Sequence, residues 1–167
     1  TVATAMDAMT HAIEAMMSTM SNRICGAQAM QAIRLIAENL PLVVADGKNE
    51  QARLNMQIAA TLAGWAFTVA QVGLAHAMAH TLGTLFHLPH GEACGIVLPK
   101  VMRYNVDHAT EALAQVASAL GAKNGKGGRE AALEAADAVE ALMKKTGHPL
   151  QLREAGVKED MLDMAAF

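Results

Sequence analysis

Apolar residues return at alternating steps of four and three from the first positions of the chain: Val2, Met6, Met9, Ile13, Met16 and Met20. That rhythm turns one helical face toward a core. A strand cannot use it, because its side chains change sides at every residue. The same period recurs along the chain. Met30, Ile33, Ile36 and Leu40 predict a second helix limited by Pro41, and Asp46 to Asn49 form a polar turn. A third helix carries Leu54, Ile58, Leu62, Trp65 and Val69, with Gly73 near its end. Next come a helix around HAMAHTLGTLF, a break at LPHG, a helix from Glu92 to Tyr104 and a short helix from beyond Asp107 to Leu120. GAKNGKGG (Gly121 to Gly128) reads as a loop and Arg129 to Lys145 as a helix. Gly147 and Pro149 then interrupt the chain before a last short helical piece. No run alternates with period two and no internal repeat is present, so the expected fold is an all-α bundle of seven or eight helices.

Composition agrees and excludes several functions. Twelve Met beside one Trp, one Tyr and three Phe favour helices over strands. With 53% hydrophobic and 17% charged residues the chain is not disordered. A net charge of −3 lacks the basic excess of a nucleic-acid binder. The most apolar stretch, Met56 to Met78, is broken by Gln57, Thr61, Gly64, Thr68, Gln71, Gly73 and His76, so no membrane partner is expected. Cys25 and Cys94 are too few for a disulfide scaffold and read as packed thiols of a cytoplasmic protein. The start at Thr1, inside a helical pattern, reads as a piece of a longer polypeptide.

Two motifs fail on inspection. GAKNGK has the wrong glycine spacing for a phosphate-binding loop and has Gly127 where a Ser or Thr is required. HAMAH has the H-x-x-x-H spacing of zinc peptidases, but Ala77 stands where the general-base Glu would be.

What remains is a set of polar residues set into apolar helices. Asp7 and His11 lie one turn apart on one face, and His76, His80, His87 and His90 fall within fifteen residues. Carboxylate and imidazole donors on two helices and a turn make a mixed oxygen and nitrogen metal site, with Asp7, His11, His76 and His90 as donors. Each also has a plainer explanation. Asp7 can be a helix cap, and a single His on an apolar face can be a hydrogen-bonded core residue. His87 and His108 adjoin surface-like turns, and His148, between Gly147 and Pro149, is expected to be exposed.

At these residues the sequence resembles the iron-containing (group III) alcohol dehydrogenase family, through TAMDAMTHAIEA, QAIRLIAENLP and GLAHAMAHTLGTLFHLPHGEACGIVLPKVMRYN. The resemblance covers nearly the whole chain. It implies that residues 1–167 form the helical metal-binding domain, with the family's N-terminal nucleotide-binding domain absent from this chain. By position it implies Asp7, His11, His76 and His90 as metal ligands and His80 as a cleft residue acting as proton relay or substrate-orienting group. Thr81 stands where the family often has Pro, which changes the surroundings of His80 and removes no ligand.

The implied activity is that of a metal-dependent, NAD(P)-linked alcohol dehydrogenase. A divalent ion polarises an alcohol or aldehyde oxygen, and hydride passes to or from NAD or NADP held mainly by the other domain. Fe2+ is the implied ion, and Zn2+ also suits the donors. The resemblance further implies a small alcohol or aldehyde as substrate and allows a homodimer of the full-length enzyme. Two other readings stay open: a zinc-dependent relative of the glycerol dehydrogenase type, and a non-catalytic helical interaction domain.

Overall fold

The computed structural model describes residues 1–122, 127–159 and 161–162. Among them are seven helices and no strand: α1 (Val2–Met17), α2 (Arg23–Ala45), α3 (Glu50–Ala70), α4 (Leu74–Phe86), α5 (His90–Tyr104), α6 (Thr110–Ala119) and α7 (Gly128–Thr146). A 3-10 turn, Leu152–Ala155, stands where the last helical piece is expected. Of the loop expected over Gly121 to Gly128, residues 123–126 lie outside the described residues.

The bundle is organised around α1, which packs against α2, α3, α5 and α6 and touches α4. A helix surrounded on all sides must be apolar on all sides. Accordingly Ala5, Ala8, Ala12 and Ala15 let neighbouring backbones approach, while Met6, Met9, Ile13 and Met16 fill the wider gaps. Two further helices start on asparagine caps. Asn22 accepts hydrogen bonds from the Ile24 and Cys25 amides, and Asn49 accepts one from Ala52. α2 and α3 form one hairpin and α6 and α7 another, and Arg103 ties α5 to α7 through Asp137 and Glu140.

Several boundaries depart from the apolar rhythm for identifiable reasons. α1 ends at Met17, and Met20 is exposed. There the Ser18 hydroxyl donates to the Ala70 carbonyl and accepts from the Met20 amide, which draws the chain out of the helix toward the end of α3. Pro41 does not stop α2. Val43 is buried beyond it, and the Asp46 amide closes the last turn onto the Leu42 carbonyl. Packing of that turn thus outweighs the hydrogen bond that Pro41 cannot donate. α5 starts at His90, two residues earlier than expected, because the Glu92 and Ala93 amides both turn back to the Pro89 carbonyl.

In α3 the packed stripe is made of small residues, Ala52, Ala59, Ala63, Ala66 and Ala70, and the large Leu54, Ile58, Trp65 and Val69 face outward. His148 is buried instead of exposed. Its ring lies over Gly95 of α5, where any Cβ would collide with it, and its Nδ1 donates to the Pro149 carbonyl at 2.8 Å. Among the described residues no single helix is long and apolar enough to cross a membrane.

Candidate metal centre

Three elements converge on one carboxylate oxygen. Asp7 Oδ1, on α1, has His11 Nδ1 of the same helix at 3.5 Å, His76 Nε2 of α4 at 3.6 Å and His90 Nε2 of α5 at 3.6 Å. The last approach depends on Gly91. A Cβ there would run into the Ala3 carbonyl oxygen and come within 3.1 Å of Asp7 Cβ, so glycine is what lets the start of α5 press against α1. The Leu88–Pro89 segment folds back over α4, where a Cβ on Gly83 would lie 3.5 Å from the Leu88 carbonyl.

The spacing is that of ligands around an ion, not of hydrogen bonds. Donors about 2.1 Å from one tetrahedral centre lie about 3.4 Å apart. Asp7 Oδ1 and His76 Nε2 are also buried without a hydrogen-bond partner. Such groups are costly to leave unpaired, and a cation between them would satisfy both. The donor set therefore fits a divalent ion. Cys94, one turn beyond His90, also belongs here. Its Sγ lies 3.5 Å from His90 Nε2, and the donor atoms of Asp7, His76, His90 and Cys94 all lie within 4.8 Å of one another. His11 also reaches Asp7, with its ring stacked on Phe67 (centroids 4.2 Å apart) and tilted against His76 (4.3 Å).

Behind the donors stands Glu14. It is 3% exposed, and one oxygen receives the Ala75 amide at 2.6 Å. The other receives the Gly73 amide at 2.8 Å and His76 Nδ1 at 2.7 Å. Gly73 is the N-cap of α4 and has no capping side chain of its own, so Glu14 of α1 supplies the cap, with its negative charge at the positive end of the α4 dipole. A Cβ on Gly73 would lie 2.9 Å from Glu14 Oε1, so glycine permits that approach as well. By accepting the Nδ1 proton, Glu14 orients the His76 ring and leaves Nε2 as the nitrogen that can give its lone pair to an ion beside Asp7.

The ionic balance follows from these contacts. Burial opposes a charge on His76, but the Asp7 carboxylate 3.6 Å away and the hydrogen bond and charge of Glu14 overcome it and push its pKa up to about 9. Burial works to raise Asp7 and Glu14, yet His76 and the neighbouring donors hold both below the usual carboxylate range. For His11 burial prevails over the attraction of Asp7 and lowers its pKa. Burial, reinforced by the Asp7 and Glu14 charges, pushes the Cys94 thiol up to about 12.

His80, one turn after His76, is exposed and stacks on His90 with ring centroids 5.2 Å apart, at the solvent edge of the cluster. Asp7, His11, His76, His80 and His90 are thus neighbours, whereas His87 and His108 are exposed. Sequence reasoning missed Glu14 and the place of Cys94, and both carried a signal. Asp7, His11 and Glu14 are spaced four and three on one face, and His90 and Cys94 are spaced four.

Residues 1–167 match the Fe-containing alcohol dehydrogenase family, C-terminal part. The chain is 49% identical over 160 residues to the 1,3-propanediol dehydrogenase of Klebsiella pneumoniae, covering 95% of this chain and 41% of that protein. It is 38% identical over 167 residues to the NAD-dependent methanol dehydrogenase of Bacillus methanolicus, covering 99% of this chain and 44% of that protein. The crystal structure of a 1,3-propanediol oxidoreductase superposes with a TM-score of 0.93 at 47% identity, covering 99% of this chain and 44% of that one. The chain spans less than half the length of these relatives. An all-helical chain whose whole length matches the family and whose acidic and histidine donors gather at one point belongs to the iron-containing alcohol dehydrogenases, as their C-terminal domain.

Proposed function

We propose that these 167 residues are the helical metal-binding half of an NAD(P)-linked dehydrogenase acting on small alcohols and aldehydes. Asp7, His11, His76 and His90 would hold Fe2+, and Zn2+ suits the same donors. The observation that carries this reading is the pair of buried, unpartnered atoms, Asp7 Oδ1 and His76 Nε2, with two more imidazole nitrogens at ligand spacing. When bound, the ion supplies Lewis acidity toward a hydroxyl or carbonyl oxygen.

The residues of the chain do the rest of the work on this side of the reaction. Glu14 holds His76 in one tautomer and orientation. Gly91 brings His90 to Asp7. His80, exposed beside His90, orients the substrate or passes its hydroxyl proton to solvent, since an imidazole can accept a proton on one nitrogen and donate from the other. The donors open toward solvent on the side of His80 and His90, where a substrate and a nicotinamide held by another part of the enzyme can reach them. The names of the relatives, propanediol and methanol dehydrogenases, support a short alcohol as substrate and NAD as one candidate nucleotide.

Metal analysis of anaerobically purified protein tests the reading. About one equivalent of iron or zinc is expected in the wild type, and almost none in His76→Ala or His90→Ala. Full metal content in both variants would overturn the site.

A further inference from the structure

We propose that Cys94 is a sulfur donor to the ion of this centre, entering from the core side and biasing the site toward thiophilic metals such as zinc. The proposal rests on the metal-site reading above and adds a ligand to it. Cys94 is fully buried and sits on α5 one turn from His90, so both side chains lie on the same helix face. Its Sγ is 3.5 Å from His90 Nε2. With sulfur about 2.3 Å and nitrogen about 2.1 Å from one tetrahedral ion, the two atoms would be about 3.6 Å apart. The donor atoms of Asp7, His76, His90 and Cys94 form a mutual group within 4.8 Å, and His11 is not a member of it. Two atoms of that group, Asp7 Oδ1 and His76 Nε2, are buried and lack hydrogen-bond partners, an independent sign that something is to be bound there.

Five side chains thus surround the centre, and Cys94 and His11 offer different donors beside the shared three. A hard ion such as Fe2+ is served by Asp7 and the three imidazoles. A softer ion exchanges His11 for the thiolate, and the thiol proton leaves to solvent as the metal–sulfur bond forms. The core-side position of Cys94 leaves the solvent side, beside His80 and His90, free for substrate.

Cobalt titration of the full chain under anaerobic conditions tests this. The wild type should develop a near-ultraviolet thiolate-to-cobalt charge-transfer band that saturates at one equivalent. Cys94→Ser should lose that band while keeping the visible ligand-field bands of bound cobalt, and Cys25→Ser should keep both. In competition, the preference for Zn2+ over Fe2+ should fall by about tenfold or more in Cys94→Ser. X-ray absorption of the zinc-loaded wild type needs no variant and should show one sulfur scatterer at about 2.3 Å. Stoichiometric cobalt with ligand-field bands but no charge-transfer band overturns the role of Cys94 and leaves the site standing. A band that survives Cys94→Ser, or zinc without sulfur, does the same. Failure of the wild type to bind any cobalt or zinc overturns both.

Discussion

Replacing Glu14 by Gln isolates what one buried carboxylate contributes to two functions at once. The side chain keeps its size, but both of its oxygens are in use. One accepts the Ala75 amide at 2.6 Å, and the other accepts the Gly73 amide at 2.8 Å and His76 Nδ1 at 2.7 Å. In either orientation the new amide group must point its N–H bonds at an N–H donor. If its oxygen stays with Gly73 and His76, the Ala75 amide loses its acceptor in a fully buried position. An unsatisfied buried donor costs about 1–3 kcal/mol, and loss of the charge at the α4 N-terminus adds up to about 1 kcal/mol. A destabilisation of about 1–4 kcal/mol is therefore expected in the metal-free protein, read by urea unfolding with an unchanged denaturant slope. Metal affinity should fall by about 10- to 100-fold, because the charged acceptor that orients the ligand imidazole and raises its basicity becomes a neutral amide. Glu14→Ala, which strips all these donors, should cost about 3–5 kcal/mol. A Glu14→Gln protein within about 0.5 kcal/mol of wild type and with undiminished metal affinity would refute the argument.

The same contacts set the pH response. In the metal-free protein, the stabilisation from charged His76 is fully present below its unfolded value of 6.5 and is lost as pH rises toward about 9. That from ionised Glu14 is present above 4.5 and is lost on acidification through its lowered folded value. Stability measured against pH should thus decline on both sides of the window between these unfolded values. Metal must displace the His76 proton, so apparent affinity should rise about tenfold per pH unit from pH 7 to about 9, checked by calorimetry in buffers of different ionisation heat. Gly91→Ala should cost about 1–3 kcal/mol and sharply reduce metal stoichiometry, since the new Cβ would meet the Ala3 carbonyl and push His90 away from Asp7. The 167-residue chain alone should not oxidise alcohols with NAD or NADP, since it spans only 41% and 44% of the propanediol and methanol dehydrogenases it matches. Nicotinamide turnover by the purified chain would contradict that.

What was legible in the sequence was whatever one helix reports by itself. Steps of three and four placed the helices, and Asp7 with His11 or His76 with His80 stood out because each pair breaks an apolar face. What was not legible depended on which element lies opposite. The α3 sequence has two apolar faces, and only the close approach of α1 and α2 decides that the alanines go in and Trp65 stays out. His148, flanked by Gly and Pro, carries the marks of an exposed loop, and Gly95 of another helix is what makes room to bury it. Glu14 is the instructive case. Its spacing from Asp7 and His11 was on view, yet a glutamate on a helix is ordinarily solvated, and its partners lie about sixty residues further along the chain. The spacing alone is ambiguous between a surface charge and a buried support. The ambiguity ends only when Gly73 is seen to be an N-cap without a capping side chain and His76 a ligand whose second nitrogen needs an acceptor. Both demands fall on the same few ångströms of α1. A carboxylate seven residues after Asp7 meets both, and in this way the metal centre and the start of α4 are built from one side chain.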